Sequence, residues 1–399
     1  MNENGPEFIA EQLQQYPDLM QMMSSIITPE RTFMVFKRVA DSYAPSLTVR
    51  YTRGPVVQKL LQEAQQEGVS GASLTFHRNY LSSGNVALEV GSQRRKPVWA
   101  MAHLDIISFL TGEYKDGRYV VTPFCAIRNA PGSREALALS FDGGNGVMRE
   151  AARGQLVLEN ADARTLFFET EKDDLPPGTR VVYASQAEWE KSSGIVYGCV
   201  DNAAACAALI LAVMALSHYQ VEALLLLTDE EEGPVTLGNQ AFSRGSARLL
   251  HRIAPDLLPD LITVSDIHED IVDLAAGRLN VERFEQQAGE GALYGSHSYY
   301  AAGGVTPPSL MQFQHELGAY LRPEGIHLRS NTGFISRSDC VSAMMATPNI
   351  ALLGFPGAFS HFADTPRAHI ADIVDLAKVL VIYLLLAQSA SWRQRYLLQ

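Results

Sequence analysis

Apolar runs of strand length recur along this 399-residue chain, and each leads to a residue that can bind a metal or move a proton. PVWAMA (Pro97–Ala102) stops at His103, and EALLLLT (Glu222–Thr228) runs into Asp229, Glu230, Glu231 and Glu232. LITVS (Leu261–Ser265) meets Asp266, and the run Asn349–Gly354 is followed by a loop that carries His361. Strands that are apolar throughout, not on alternate residues, belong to a sheet covered on both faces. Open α/β sheets place their binding sites outside the carboxyl ends of such strands. The pattern restricts the chain to a layered α/β architecture with its chemistry on one edge.

The rest of the chain fits around that sheet. Residues Phe8–Tyr43 have apolar positions at helical steps, with Thr28 as a helix cap and Pro29 at the first helical position. A second helix is expected over Gly54–Glu67, ended by Gly68. From Tyr114 to about Gln186 short β-rich pieces (RYVVTPF, ALALSF, GQLVLE, TLFFET, TRVVYA) alternate with Gly, Pro and charged turns, the pattern of a small all-β module. The expected division is a main domain of residues 1–112 and 187–399, with 1–50 a helical extension, and an inserted β-domain over 113–186. Helices are expected at Ala203–Leu216, Ser309–Leu321 and Ile370–Ala387.

The 47% hydrophobic and 19% charged composition is that of an ordinary globular chain. A net charge of -12 argues against a nucleic-acid partner, which favours a basic face. The most apolar segments are too short for membrane spans, so no membrane partner is expected. Cys125, Cys199, Cys206 and Cys340 show no C-x-x-C spacing, and so few cysteines fit a reducing compartment. The first residues lack a basic and apolar leader, so a cytoplasmic location is expected.

Two divalent metals that share one carboxylate need one bridging Asp, two imidazoles and two further carboxylates. His103, Asp201, Glu231, Asp266 and His361 make up that inventory. Asp105, two residues beyond His103, points the same way in an extended segment and can brace the imidazole from behind. Each residue also has a plain reading: Asp201 as a helix N-cap, the DEEE run as a solvated turn, His361 as a loop histidine. It is the set that favours chemistry. Glu230, next to Glu231, is then the carboxylate expected to face an attacking water as general base. His268 is a rival ligand that we place outside the set.

At these residues the chain resembles the co-catalytic metallopeptidase clan, and within it metallopeptidase family 42, the tetrahedral or glutamyl aminopeptidases related to families 20 and 28. AHLDIISF (Ala102–Phe109) resembles that family's first His motif, and GIVYGCVDNAAA (Gly194–Ala205) its bridging-Asp motif. DEEEG resembles its Glu-Glu-x-Gly motif, ITVSD its third carboxylate motif, SRSDC (Ser336–Cys340) its Ser/Thr-Asp motif, and FSHFADT its last His motif. The β-rich segment between His103 and Asp201 matches the position of the family's inserted domain. The resemblance spans roughly Gly84–Leu386.

It implies a zinc-peptidase-like α/β/α sandwich with a mixed central sheet. It also implies two metal ions, zinc first, with cobalt or manganese acceptable to the same ligands. One would be held by His103, Asp201 and Asp266, the other by Asp201, Glu231 and His361. Peptide substrates, a homo-oligomer from dimer to hollow dodecamer and a cis Asp201–Asn202 peptide are implied as well. The expected activity is metal-dependent removal of N-terminal residues from peptides. Its rivals are a deacylase or carboxypeptidase of the same clan and a non-catalytic protein that kept the fold.

Overall fold

The computed structural model describes residues 5–71, 73–125, 131–160, 165–233, 243–269, 271–273, 278–279, 281–298, 303–331, 338–361 and 364–398. Helices α1 (Gly5–Leu13), α2 (Leu19–Ile26), α3 (Pro29–Ala40) and α4 (Arg53–Gln66) open the chain. Thr28 caps α3 as its position implies: its Oγ1 accepts from the Arg31 amide at 3.2 Å.

Strands β1 (Leu74–His77), β2 (Val86–Val90) and β3 (Val98–His103) follow. Six strands then run from Phe109 to Tyr183: β4 (Phe109–Lys115), β5 (Arg118–Pro123), β6 (Gly132–Asp142), β7 (Val147–Asn160), β8 (Thr165–Glu169) and β9 (Arg180–Tyr183). They close into an antiparallel barrel, which leaves no free sheet edge. Phe109, Tyr119, Leu156, Phe168 and Val181 fill its own separate core.

The remaining elements are β10 (Glu188–Glu190), β11 (Ile195–Tyr197), α5 (Val200–Leu216), β12 (Ala223–Thr228), α6 (Arg244–Leu250), β13 (Leu261–His268), β14 (Ile271–Asp273), β15 (Arg278–Leu279) and α7 (Val281–Gln287). After them come β16 (Ala292–Gly295), α8 (Pro308–Leu321), β17 (Leu328–Asn331), α9 (Cys340–Ala343), β18 (Ile350–Ala358), β19 (Arg367–His369), α10 (Ile370–Leu386) and α11 (Ala390–Tyr396). No helix among the described residues is long and apolar enough to cross a membrane.

The central sheet is mixed, in the order β1-β2-β12-β3-β13-β18-β19-β11-β10, with β16 and β17 attached beside β18. Its middle four strands, β12, β3, β13 and β18, are parallel, so their carboxyl ends share one edge. The apolar runs are buried on both faces, as read from their composition. In β12, Leu225 and Leu227 face the larger core beneath α5 and α10, while Leu224 and Leu226 face the smaller core beneath α6 and α9. In β3, Ala100 and Ala102 take the first face and Trp99 and Met101 the second. Each fully buried leucine contributes about 1.5–3 kcal/mol relative to exposure. A run such as Leu224–Leu227 therefore ties both layers to one strand.

Strands β13 and β18 are longer than their apolar runs suggest. Asp266 lies inside β13, paired with Gly354 of β18, so it does not follow the strand end. A Cβ on Gly354 would come within 2.0 Å of the Asp266 carbonyl oxygen, and only glycine permits this close pairing.

Candidate metal centre

Four parallel strand ends and the start of α5 bring the sequence-distant ligands together. His103 closes β3, opposite Thr228 at the end of β12. Its Nε2 lies 3.0 Å from Asp201 Oδ1, 3.6 Å from Asp266 Oδ1 and 3.8 Å from Glu231 Oε2. His361 Nε2 lies 3.6 Å from Asp201 Oδ2 and 3.5 Å from Glu232 Oε2. Asp201 thus offers one oxygen to each imidazole. His103, Asp201, Glu231, Asp266 and His361 all meet at one place, and Glu232 joins them.

Asp201 and Asn202 keep non-helical backbone angles at the head of α5, and the peptide between them is cis. The start of α5 has no side-chain capping hydrogen bond, so the carboxylate of Asp201 is not used as a cap. Its Oδ1 is buried and makes no well-directed hydrogen bond, despite its closeness to His103. Asn202 Nδ2 donates to the Ser265 carbonyl at 2.9 Å and fixes the head of α5 to β13.

The acidic turn after β12 departs from the sequence reading by one residue. Glu230 does not face His103 or His361; its carboxylate pairs with Arg248 of α6. The cause is the turn itself. The side chains of Asn85 and Asp229 hold the amides of Asp229 (3.0 Å) and Glu230 (2.8 Å), and Glu230 takes a left-handed conformation with φ 59°. The chain then bends back, and the next two carboxylates, Glu231 and Glu232, return to the strand ends.

Asp105 holds that bend. Its Oδ1 accepts from the Glu231 amide and its Oδ2 from the Glu232 amide, each at 3.2 Å, and Ser46 Oγ donates to Oδ2 at 2.6 Å. The imidazole of His103 is steadied chiefly by the Asp105 carbonyl oxygen, 3.2 Å from Nδ1, with the carboxylate at 3.7 Å. Bracing by Asp105 is therefore mostly through its main chain, while its carboxylate orders the acidic turn.

Two supports had no signal in the strand-end pattern. Glu269 accepts from Ser360 N at 2.7 Å and Ser360 Oγ at 2.8 Å, which anchors the residue before His361. Asp339 of the SRSDC segment is buried below β12, where it accepts from Thr228 Oγ1 and from Ser246 Oγ at 2.7 Å. His268 is buried beside Asn331, whose side-chain amide nitrogen lies 3.3 Å from its Nδ1. Pro234, Ser336, Arg337, Phe362 and Ala363 of the quoted motifs lie outside the described residues.

The electrostatics of the cluster are unbalanced. Burial pushes the Glu231 and Glu232 carboxyls well above their usual range; His103 pulls both back, and neighbouring carboxylates push them further up. Asp266 is raised for the same leading reason. Burial disfavours a charged His103, but the Glu231 and Asp266 carboxylates outweigh it and hold the imidazolium. Asp201 is pushed up by burial, yet His103 and His361 beside it keep it below its ordinary value.

So many buried carboxylates with two imidazoles need further positive charge. The donor set fits divalent metals: His103, Glu231 and Asp266 form one group able to hold an ion, and His103, Asp201 and Glu232 another. Such donors, nitrogen plus carboxylate oxygen, suit zinc and its neighbours. Next to Asp201 and Glu232 lies a narrow cleft with a cavity of about 20 Å³, partly open to solvent, walled by Ile106, Ile107, Tyr183 and Cys199, with Arg134 also lining it.

No protein-family profile matches the chain, and no curated protein matches it. Solved structures do. An aminopeptidase from the archaeon Desulfurococcus kamchatkensis is 16% identical and superposes with a TM-score of 0.67, over 92% of this chain and 98% of that one. A TET aminopeptidase from a marine-sediment Thaumarchaeota archaeon is 14% identical, with a TM-score of 0.67 over 89% and 96% of the two chains. An M18-family aminopeptidase from Thermotoga maritima is 12% identical, with a TM-score of 0.60 over 90% and 96%. Likeness at this level of identity is likeness of architecture: the chain has the fold of the TET and M18 aminopeptidases.

Proposed function

We propose that this chain is a metal-dependent aminopeptidase of the family 42 kind, working at a dinuclear centre bridged by Asp201. The observation that carries the reading is Asp201, whose two oxygens face His103 and His361 separately while three further carboxylates, Glu231, Glu232 and Asp266, stand around them. His103, Asp201 and Asp266 are assigned to one metal, and Asp201, Glu232 and His361 to the other. Glu232 replaces Glu231 in the second set because it is Glu232 that lies against His361. Glu231 is left as the general base in place of Glu230.

Two bound divalent ions would acidify a water and polarise the scissile carbonyl. Glu231, buried in this cleft, would serve as the general base, taking a proton from the attacking water and returning it to the leaving amine. Asp105 keeps the amides of Glu231 and Glu232 in place, so base and ligand hold fixed relative positions.

A panel of aminoacyl-anilides set against N-acetyl amino acids tests the activity. Release from the anilides with a free amino group is expected, and it should disappear on chelation. Turnover of N-acetyl amino acids alone would assign a deacylase. The assembly of related TET chains into dodecamers, tetrahedra and octahedral shells supports a homo-oligomer here as well.

The carboxylate cluster also has a stability consequence. Glu231, Glu232, Asp266 and His103 all have folded-state pKa values above their unfolded ones. Between the two values the folded chain binds more protons, so stability falls as pH rises. Metal-stripped protein is therefore expected to melt at progressively lower temperature from about pH 5 upward, since unfolded carboxyls titrate near 4. Metal-loaded protein should show the opposite trend, because ions bind the deprotonated ligands. Melting curves of both forms over that range check this; a flat profile for the stripped protein would contradict it.

A further inference from the structure

Arg53 opens helix α4 and is fully buried. Its guanidinium donates to main-chain carbonyls, Nε to Val39 and Ser42, each at 2.8 Å, and Nη1 to Leu104 at 2.7 Å, and it also interacts with the Cys199 thiol. Leu104 stands between His103 and Asp105, so the guanidinium grips the carbonyl of the one residue that joins the metal-facing imidazole to the carboxylate ordering the acidic turn. Its Nη2 is buried with no hydrogen-bond acceptor among the described residues. A buried cation that lacks a carboxylate partner is costly unless a larger field favours it. The Cys199 and Cys206 thiols feel the Arg53 charge on one side and those of Asp201, Glu232, Asp266 and Asp105 on the other, so the guanidinium and the carboxylate cluster flank the same two side chains.

The neighbouring chain makes the same connection. Ile106 N donates to the Ala44 carbonyl at 3.0 Å, Ser46 holds Asp105, and the Leu47 amide donates to Asp229 Oδ1 at 2.8 Å. The segment from Val39 to Arg53 is thus the back wall of the site.

We propose that Arg53 is a positioning residue for the metal centre: it sets the His103–Asp105 segment and supplies fixed positive charge behind the carboxylates. The inference rests on the dinuclear reading. It predicts that metal affinity at the His103 position depends on a side chain that touches no ligand atom.

Cobalt(II) titration of the full-length, metal-stripped protein tests it, read by the visible absorption spectrum of the bound ion. Arg53→Met keeps the stem and removes the charge. Cobalt should bind one position about 10- to 100-fold more weakly, with a changed spectrum. Arg53→Lys restores a point charge but not the fork, and its affinity should fall between the two. Phe36→Leu, a buried change on α3 in the main core, should lower the melting temperature and leave the cobalt spectrum unchanged. That contrast separates positioning from loss of stability. If Arg53→Met does not fold, the Lys variant decides. Wild-type affinity and spectrum in the folded variants would overturn the assignment. Failure of the unaltered protein to take up cobalt would overturn the dinuclear reading, and this inference with it.

Discussion

Replacing Asp201 with Asn is expected to empty both metal positions at once. Its carboxylate gives one oxygen to each imidazole, with His103 Nε2 at 3.0 Å from Oδ1 and His361 Nε2 at 3.6 Å from Oδ2. An amide keeps the size but loses the charge and one acceptor, so neither ion retains a shared anionic ligand. Hydrolysis loses the Lewis-acid contribution, several kcal/mol of transition-state stabilisation, on the order of 10³-fold or more in rate. Elemental analysis should fall from two ions per chain to below one, while the fold persists, since Asn202 and not Asp201 ties α5 to β13. Retention of one full equivalent would show that Asp201 serves a single ion and would remove its bridging role.

The second large effect is expected at Glu231, with Glu230 as its control. Glu231→Gln keeps shape and the amide contact to Asp105 but cannot accept a proton. Turnover should drop by about 10²- to 10⁴-fold, the usual contribution of a general base, with both ions retained. Glu230→Gln should leave turnover within a few-fold and cost about 1 kcal/mol of stability, because its partner is Arg248 and not the reacting centre. The reverse result, with Glu230→Gln inactive and Glu231→Gln active, would restore the assignment that the sequence pattern alone favours.

That disagreement marks where sequence reasoning stops. His103, Asp201, Asp266 and His361 were legible because each follows or ends a core run, and the sheet needs those runs parallel. The acidic run was legible as a site but not in its register. Four carboxylates in a row look alike, and which of them returns to the strand end is decided by one left-handed residue held through Asn85 and Arg248, both distant in sequence. Asp105 was found for the right reason in part: its i+2 position brings its main chain to His103, but its carboxylate answers to the amides of Glu231 and Glu232. Arg53, Ser46 and Glu269 gave no signal, because a positioning residue is defined by what it reaches across the fold. The N-terminal helices were read as a helical extension without a link to the site for the same reason, although Ser46, Leu47 and Arg53 line the back of the centre.

Anomalous diffraction at the zinc absorption edge from crystals of the zinc-loaded protein tests the dinuclear assignment most directly. Two peaks are expected on either side of the Asp201 carboxylate, one against His103 and Asp266, the other against His361 and Glu232. A single peak, or none within coordinating distance of Asp201, would contradict the account.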